Sequence, residues 1–281
     1  METFLLTHEA QIRQYALYFT WSAILLWESI IPAKALVDPI LSRWTSNVLL
    51  AVLNTVFARF LLPIVGVMAA TQVALRDGGL LNALTLPAWT NILLGLLALD
   101  AAAYLLHRLL HHFPLLWRVH AVHHCDRDFD CTTGLRFHPI ESLIVTVVRV
   151  AVVMAMGVPV IAVVLYEIVA IVVTFFTHAN ARLPSWLESP VRTLFVTPDM
   201  HRIHHSALPK EGMTNFSVVF SFWDRLGKTY LEQPAVGQKN MTVGLPWFNK
   251  KPGMNILHLM ILPLISGPFR AESEKTQAQP E

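Results

Sequence analysis

Charge is what this sequence has least of. Only 14% of its 281 residues are Asp, Glu, Lys or Arg, against about 25% in soluble domains. Those charges nearly cancel, 21 basic against 19 acidic, for a net of +2. That balance supplies no basic stripe for phosphates and excludes most nucleic-acid binders. Cysteine is almost missing: Cys125 and Cys131 are too few for a disulfide framework and leave a reduced compartment as the default. A secretory signal is absent too, because Glu2 and Glu9 stand where its basic region would be and no small-residue cleavage site follows. No G-x-G-x-x-G follows a strand, so nothing in the chain points to a bound nucleotide or flavin.

Apolar residues fill the gap, at 54%, which rules out a disordered chain and points to a membrane. A bilayer core of ~30 Å needs about 20 apolar residues in helical form. Five segments approach this: 15–37, 46–74, 88–110, 140–156 and 159–177. Gly157-Val158-Pro159 splits the last two as a tight turn, and their shortness leaves both a full crossing and a shallow re-entrant hairpin open. The stretch 254–266 contains Pro263 and is too short to span, so it reads as an interfacial helix. The polar tail 271–281 reads as disordered. Most of the 21 basic residues lie on the side where spans three and five end, which places the histidine-rich region in the cytoplasm. Arg149 and Glu167 are equidistant from Val158, so a hairpin sets them at one depth as a buried pair. Glu28 and Arg59 flank the 38–46 turn in the same way. Both pairs read first as helix-packing groups, not as catalysts.

Histidine is the abundant functional residue. All of the 13 histidines except His8 and His258 fall between His107 and His205. Asp100, Tyr104, His107 and His111 form one stripe on a helix of 3.6 residues per turn. His107 and His111, one turn apart, can point at one metal, but no Glu follows His107 and the H-E-x-x-H protease signature is missing. His120, His123 and His124 repeat the spacing of His201, His204 and His205, the latter after Thr197-Pro198-Asp199, a threonine cap with proline in the first turn. His138 and His178 each sit just beyond the end of a span. His112 points about 100° away from His111 and belongs outside the cluster, as do His8 and His258. Uncoordinated imidazoles packed together would repel on protonation and waste polar surface, so the three spaced clusters read as metal ligands, joined by His178 and, with less support, His138. Eight or more imidazoles exceed one ion, so two ions are implied. Imidazole suits zinc, copper, iron and nickel alike, and a structural zinc usually takes four ligands, so the count favours two irons and oxygen activation, with zinc as a substitute. Asp100, Glu141 and Asp199 are candidates to orient ligand rings. Cys125 and Cys131 read as spectators.

His107-x-x-x-His111, His120-x-x-His123-His124 and His201-x-x-His204-His205 on an apolar chain resemble the fatty acid hydroxylase/sterol desaturase superfamily of membrane di-iron enzymes. Arg136-x-His138-Pro139, Thr197-Pro198-x-Met200-His201, Asn215-Phe216-Ser217 and Trp223-Asp224 add to the resemblance, which covers about 90–235. It implies an all-α, multi-span helical bundle with a cytosolic helical cap around two irons. Residues 1–87 would be N-terminal spans, 88–235 the catalytic domain, and 236–281 an interfacial segment and tail. It also implies a lipid substrate, O2, and a separate electron donor that is cytochrome b5-like, ferredoxin-like or a reductase. Two departures stand out. Arg182 occupies a position that is histidine in the ceramide-acting branch, leaving Asn180, His138 or water to complete the site, and Leu226-Gly227-Lys228-Thr229 replaces a Phe-Gly-Thr. A metal or proton transporter would place histidines at mid-span instead, and a membrane zinc hydrolase would need an open zinc with a general base.

Overall fold

Proline and glycine set the helix ends that carry the site. The computed structural model describes residues 2–61, 66–245 and 255–265. Helices α1 (Glu9–Ile30), α2 (Ile40–Leu61) and α3 (Gly66–Ala74) precede α4 (Ala88–His112) and α5 (Pro114–His124). A hairpin of α6 (Pro139–Met156) and α7 (Val160–Thr177) follows, then α8 (Ser185–Leu194), α9 (Pro198–His204) and α10 (Ile256–Ile265). Proline opens α5, α6 and α9 in the first turn, where its missing N–H costs nothing. Two isolated β-bridges, Phe195 with Phe220 and Ser206 with Val243, are the only β pairing among the described residues. The fold is all-helical.

Among the described residues, α4, α6 and α7 are long and apolar enough to cross a membrane. Helix α4 rises roughly 37 Å at 1.5 Å per residue, so its last turns, bearing His107 and His111, emerge at one face of a ~30 Å core. The sequence placed the first span at 15–37. The helix runs Glu9–Ile30 instead, because Pro32 bars the α conformation at the residue before it. The second expected span, 46–74, is two helices, Ile40–Leu61 and Gly66–Ala74, with 62–65 outside the described residues. Among the described residues neither α1, with Glu9, Arg13 and Glu28, nor α2, with Arg43, Asn47 and Asn54, counts among the helices apolar enough to cross. The helix at 256–265 forms as expected and packs Leu259 and Leu262 against Trp117, Ala121 and Leu50. The tail 271–281 lies outside the described residues.

The turn between α6 and α7 is tight, with Gly157 left-handed at φ 67°. A Cβ there would meet the Gly78 carbonyl at 2.6 Å, so only glycine fits. The hairpin brings Arg149 Nη1 to Glu167 Oε1 at 3.4 Å, and Arg13 of α1 also pairs with Glu167. Arg59, the partner expected for Glu28, has its side chain outside the described residues. Glu28 Oε1 accepts from the Cys131 and Asn180 backbone N–H groups, at 2.7 and 2.8 Å. The N-terminal helices therefore clamp the loop between α5 and α6. Arg43 reaches Asp126 and Asp130 at 2.8 and 2.7 Å, and Asn47 donates to Thr132 at 3.0 Å.

Candidate metal centre

Nine imidazoles from four places in the chain meet at the emergent end of α4, and all nine are buried. They sort into two groups whose nitrogens lie within 4.8 Å of one another: His107, His111, His120, His124 and His204 in the first, and His123, His178, His201 and His205 in the second. Helix geometry explains the sorting. Residues four apart share a face, so the pairs 107/111 and 120/124 feed the first group and 201/205 feeds the second. The remaining member of each H-x-x-H-H motif, His123 or His204, projects from the neighbouring face into the other group. Each motif thus bridges both groups, and His178 enters from the end of α7.

The ring nitrogens converge. Nε2–Nε2 separations are 3.2 Å for His107–His120, His120–His124 and His111–His124. In the second group they are 3.2 Å for His123–His178 and 3.1 Å for His178–His201. Such spacing is what imidazoles take when they share one ion about 2.1 Å away. The Nε2 atoms of His204 and His205 are buried with no hydrogen-bond partner, a cost that a metal would remove. The donor set fits two nitrogen-ligated ions.

The opposite ring edges show how the first group is oriented. His107 Nδ1 donates to the Phe216 carbonyl at 2.7 Å, His204 Nδ1 to the Thr214 carbonyl at 2.8 Å, and His120 Nδ1 to Glu141 Oε1 at 2.6 Å. Each bond fixes the tautomer and leaves Nε2 as the ligand atom. In the second group only His178 is so held, by the Thr174 carbonyl at 2.8 Å. Aromatic rings flank the others: Phe137 stacks on His123 at 4.6 Å between centroids, and Phe129 lies against His205 and His201 at 5.0 and 6.3 Å, as well as against His178 at 5.5 Å.

Burial holds six of the clustered imidazoles outside the spans neutral. It is the largest cause lowering His178 to about 4 and His204 to about 3. Burial first, then neighbouring histidines, push His123, His124, His201 and His205 well below the usual value. Neutral imidazole is the form that binds metal.

The candidate orienting groups divide. Glu141 touches a ligand ring. Asp100 does not: it accepts from Val219 N at 3.2 Å, Phe220 N at 3.0 Å and Trp223 Nε1 at 2.9 Å. Asp224 accepts from Phe216 N and Ser217 N at 2.8 and 2.9 Å. The two carboxylates pin the loop that presents the Phe216 carbonyl to His107, so Asp100 acts through that loop. Asp199 is taken up by Arg182 and Arg202 at 2.9 and 2.5 Å, and Asn180 by the backbone of Lys34. His138 lies outside both groups. It caps α6, with Nδ1 accepting from Ile140 N at 3.2 Å and Nε2 donating to the Met260 carbonyl at 3.3 Å, which occupies both nitrogens. Cys125 receives Arg136 Nη2 at 3.2 Å and is free, as is Cys131. The carbonyls of Phe216, Thr214 and Thr174 left no mark in the sequence, since every residue has one.

Both groups open onto a cavity of about 360 Å³ between α4, α6 and α7, His107 and His120 from the first and His123, His178 and His201 from the second, walled by Leu106, Leu110, Val145, Ala170 and Val218. The profile of the fatty acid hydroxylase family matches residues 92–229, the stretch that holds all nine histidines. The chain belongs to the fatty acid hydroxylase superfamily. It is 32% identical over 149 residues to an ornithine lipid hydroxylase of Rhizobium tropici, covering 53% of this chain and 44% of that one. A very-long-chain aldehyde decarbonylase of Oryza sativa subsp. indica is 31% identical over 51% of this chain and 25% of its own. An alkylglycerol monooxygenase of Xenopus tropicalis is 26% identical over 49% and 30%. The chain therefore spans less than half the length of each relative. No solved structure matches it.

Proposed function

We propose that this protein is a membrane-bound, O2-dependent oxidoreductase that hydroxylates or desaturates a lipid, with residues 88–235 as its catalytic unit. The observation that carries this reading is the convergence of nine buried imidazoles beside an apolar cavity cut between membrane-spanning helices. His107, His111, His120, His124 and His204 would hold one iron, and His123, His178, His201 and His205 the other. Such a pair supplies oxygen activation when bound, with two electrons from a separate carrier that is cytochrome b5-like, ferredoxin-like or a reductase. The relatives named as lipid hydroxylase and monooxygenase support a lipid substrate. The Lys/Arg bias supports a cytoplasmic centre, within reach of a cytosolic carrier.

The chain's own contribution is positioning and exclusion. Leu106, Leu110 and Val145 shed water from the cavity, so a lipid segment gains by entering. The Phe216 and Thr214 carbonyls hold His107 and His204 with Nε2 inward. Glu141 Oε1 keeps the proton of His120 Nδ1, and its Oε2, buried without a partner, lies in the cavity wall. Whether a hydroxyl or a double bond results depends on where the second C–H bond is held, a matter of an ångström or so.

A transporter would string its ionisable groups along mid-span, whereas these rings gather at helix ends and in the cap. A zinc hydrolase would need a carboxylate free to act as general base. The only carboxylate on a ligand ring among the described residues, Glu141, has its Oε1 engaged by His120. The test is comparative lipid analysis of cells with and without the chain, grown with and without oxygen. A lipid that gains one oxygen atom or loses two hydrogens, only with oxygen and not with His204→Ala, supports the proposal. Unchanged lipids, or oxygen-independent hydrolysis products, contradict it.

A further inference from the structure

The cavity has a second polar end. Along α6 the wall runs from Glu141, beside the first histidine group, to Arg149, roughly 12 Å at 1.5 Å per residue. Between them the Thr146 and Thr177 hydroxyls donate to the Ser142 and Thr174 carbonyls of their own helices, and Ser142, Thr174 and Ser217 also line the cavity. At the far end stand Arg149 and Tyr166.

Arg149 is poorly used by the protein. Its guanidinium carries five N–H donors, yet among the described residues it makes a single side-chain hydrogen bond, to Glu167 at a long 3.4 Å. About 30% of its side chain stays accessible, and it lines the cavity. A group serving only to fasten helices would turn those donors to its partner. Tyr166 complements it: its hydroxyl donates to Asp100 Oδ1 at 3.3 Å, which leaves the phenolic oxygen as an acceptor. The charges here are balanced, since Arg13 pairs with both Glu9 and Glu167 while Arg149 also faces Glu167. A carboxylate brought to this end would be an uncompensated buried charge, and a bare hydrocarbon would leave the guanidinium donors unmet.

The geometry points to Arg149 and Tyr166 as a specificity site for a neutral oxygen, hydroxyl or carbonyl, carried by the lipid about 12 Å from the carbon beside the histidines. A hydroxyl fits best, accepting from Arg149 and donating to Tyr166. This rests on the lipid-oxidising reading of the cavity and adds what that lipid must carry.

The test is competition of decane, decanol and decanoate against a fluorescent decyl probe on the full-length chain in detergent, read as displacement without turnover. Decanol should displace the probe at about tenfold lower concentration than decane, the worth of one hydrogen bond to a charged group, and should also lead decanoate. Arg149→Leu should erase that lead and leave decane unchanged, while Arg149→Lys keeps part of it. Tyr166→Phe, which spares the ion pairs, should reduce the lead about threefold and decides the matter if Arg149→Leu does not fold. Equal displacement by decane and decanol in the unaltered chain, a decanoate lead, or a decanol lead that survives both substitutions overturns the inference. A chain that holds none of the probes overturns the lipid cavity itself, and this inference with it.

Discussion

The two histidine groups are built from the same residue type and share α5 and the His201–His205 motif, yet they are held differently. In the first, His107, His120 and His204 each have Nδ1 tied to a carbonyl or carboxylate within 2.6–2.8 Å. In the second, among the described residues, only His178 is tied, and the Nδ1 atoms of His123 and His201 have no hydrogen-bond partner there. Hydrogen-bonded rings are preorganised and more basic toward a metal, whereas rings held by packing keep more freedom. The first group should therefore bind its ion more tightly and release it later. Rings of both groups, together with Glu141, line the cavity.

The largest expected effect comes from removing a ligand at the junction. His204→Ala should lower metal content below two ions per chain and cut oxidised product at least about 100-fold, measured by elemental analysis and lipid profiling. Retention of both ions would break the assignment of His204 to the first group. Glu141→Gln removes the charge opposite His120 while keeping an acceptor. It should weaken the first ion about tenfold and leave the second unchanged, as read by metal titration. Equal weakening of both would erase the distinction between the groups.

Acid offers a milder probe of the metal-free chain. His178 and His204 sit near 4 and 3 when folded, against about 6.5 when unfolded. Between those values the unfolded chain binds more protons, so stability falls as pH drops through about 6.5 and keeps falling toward 4 and 3, where the folded rings protonate as well. Urea unfolding at about pH 8 and pH 5 should show the lower stability at the acid value. Equal midpoints would mean these rings are not held neutral. The smallest effect expected is from Phe129→Leu, which keeps the site apolar but removes the ring beside His178 and His205. It should speed chelator extraction of the second ion a few-fold and spare the first.

Much of the centre was legible because helical spacing is a strong code. The pairs 107/111, 120/124 and 201/205 follow from one turn of helix, and the count of rings asks for two ions. The hairpin at Gly157 was legible from its glycine and proline. What pins the rings was not, because backbone carbonyls carry no residue signature. Asp100 and Asp224 lie far apart in sequence and become one device only when the loop at 216–223 folds over α4. His138 stands in a motif beside proline and looks like a ligand. Its ring instead serves the first turn of α6, a local role that spacing cannot separate from ligation. The first span was placed too far along the chain because apolar content runs through Pro32 while the helix cannot.

Metal titration of the full-length chain, purified without oxygen and stripped of metal, tests the central claim most directly. Iron(II) should bind to two equivalents per chain in two distinguishable steps, the tighter of them weakened in Glu141→Gln. One equivalent or fewer, or two steps indifferent to Glu141 and His204, would contradict a two-ion centre assembled from these nine histidines.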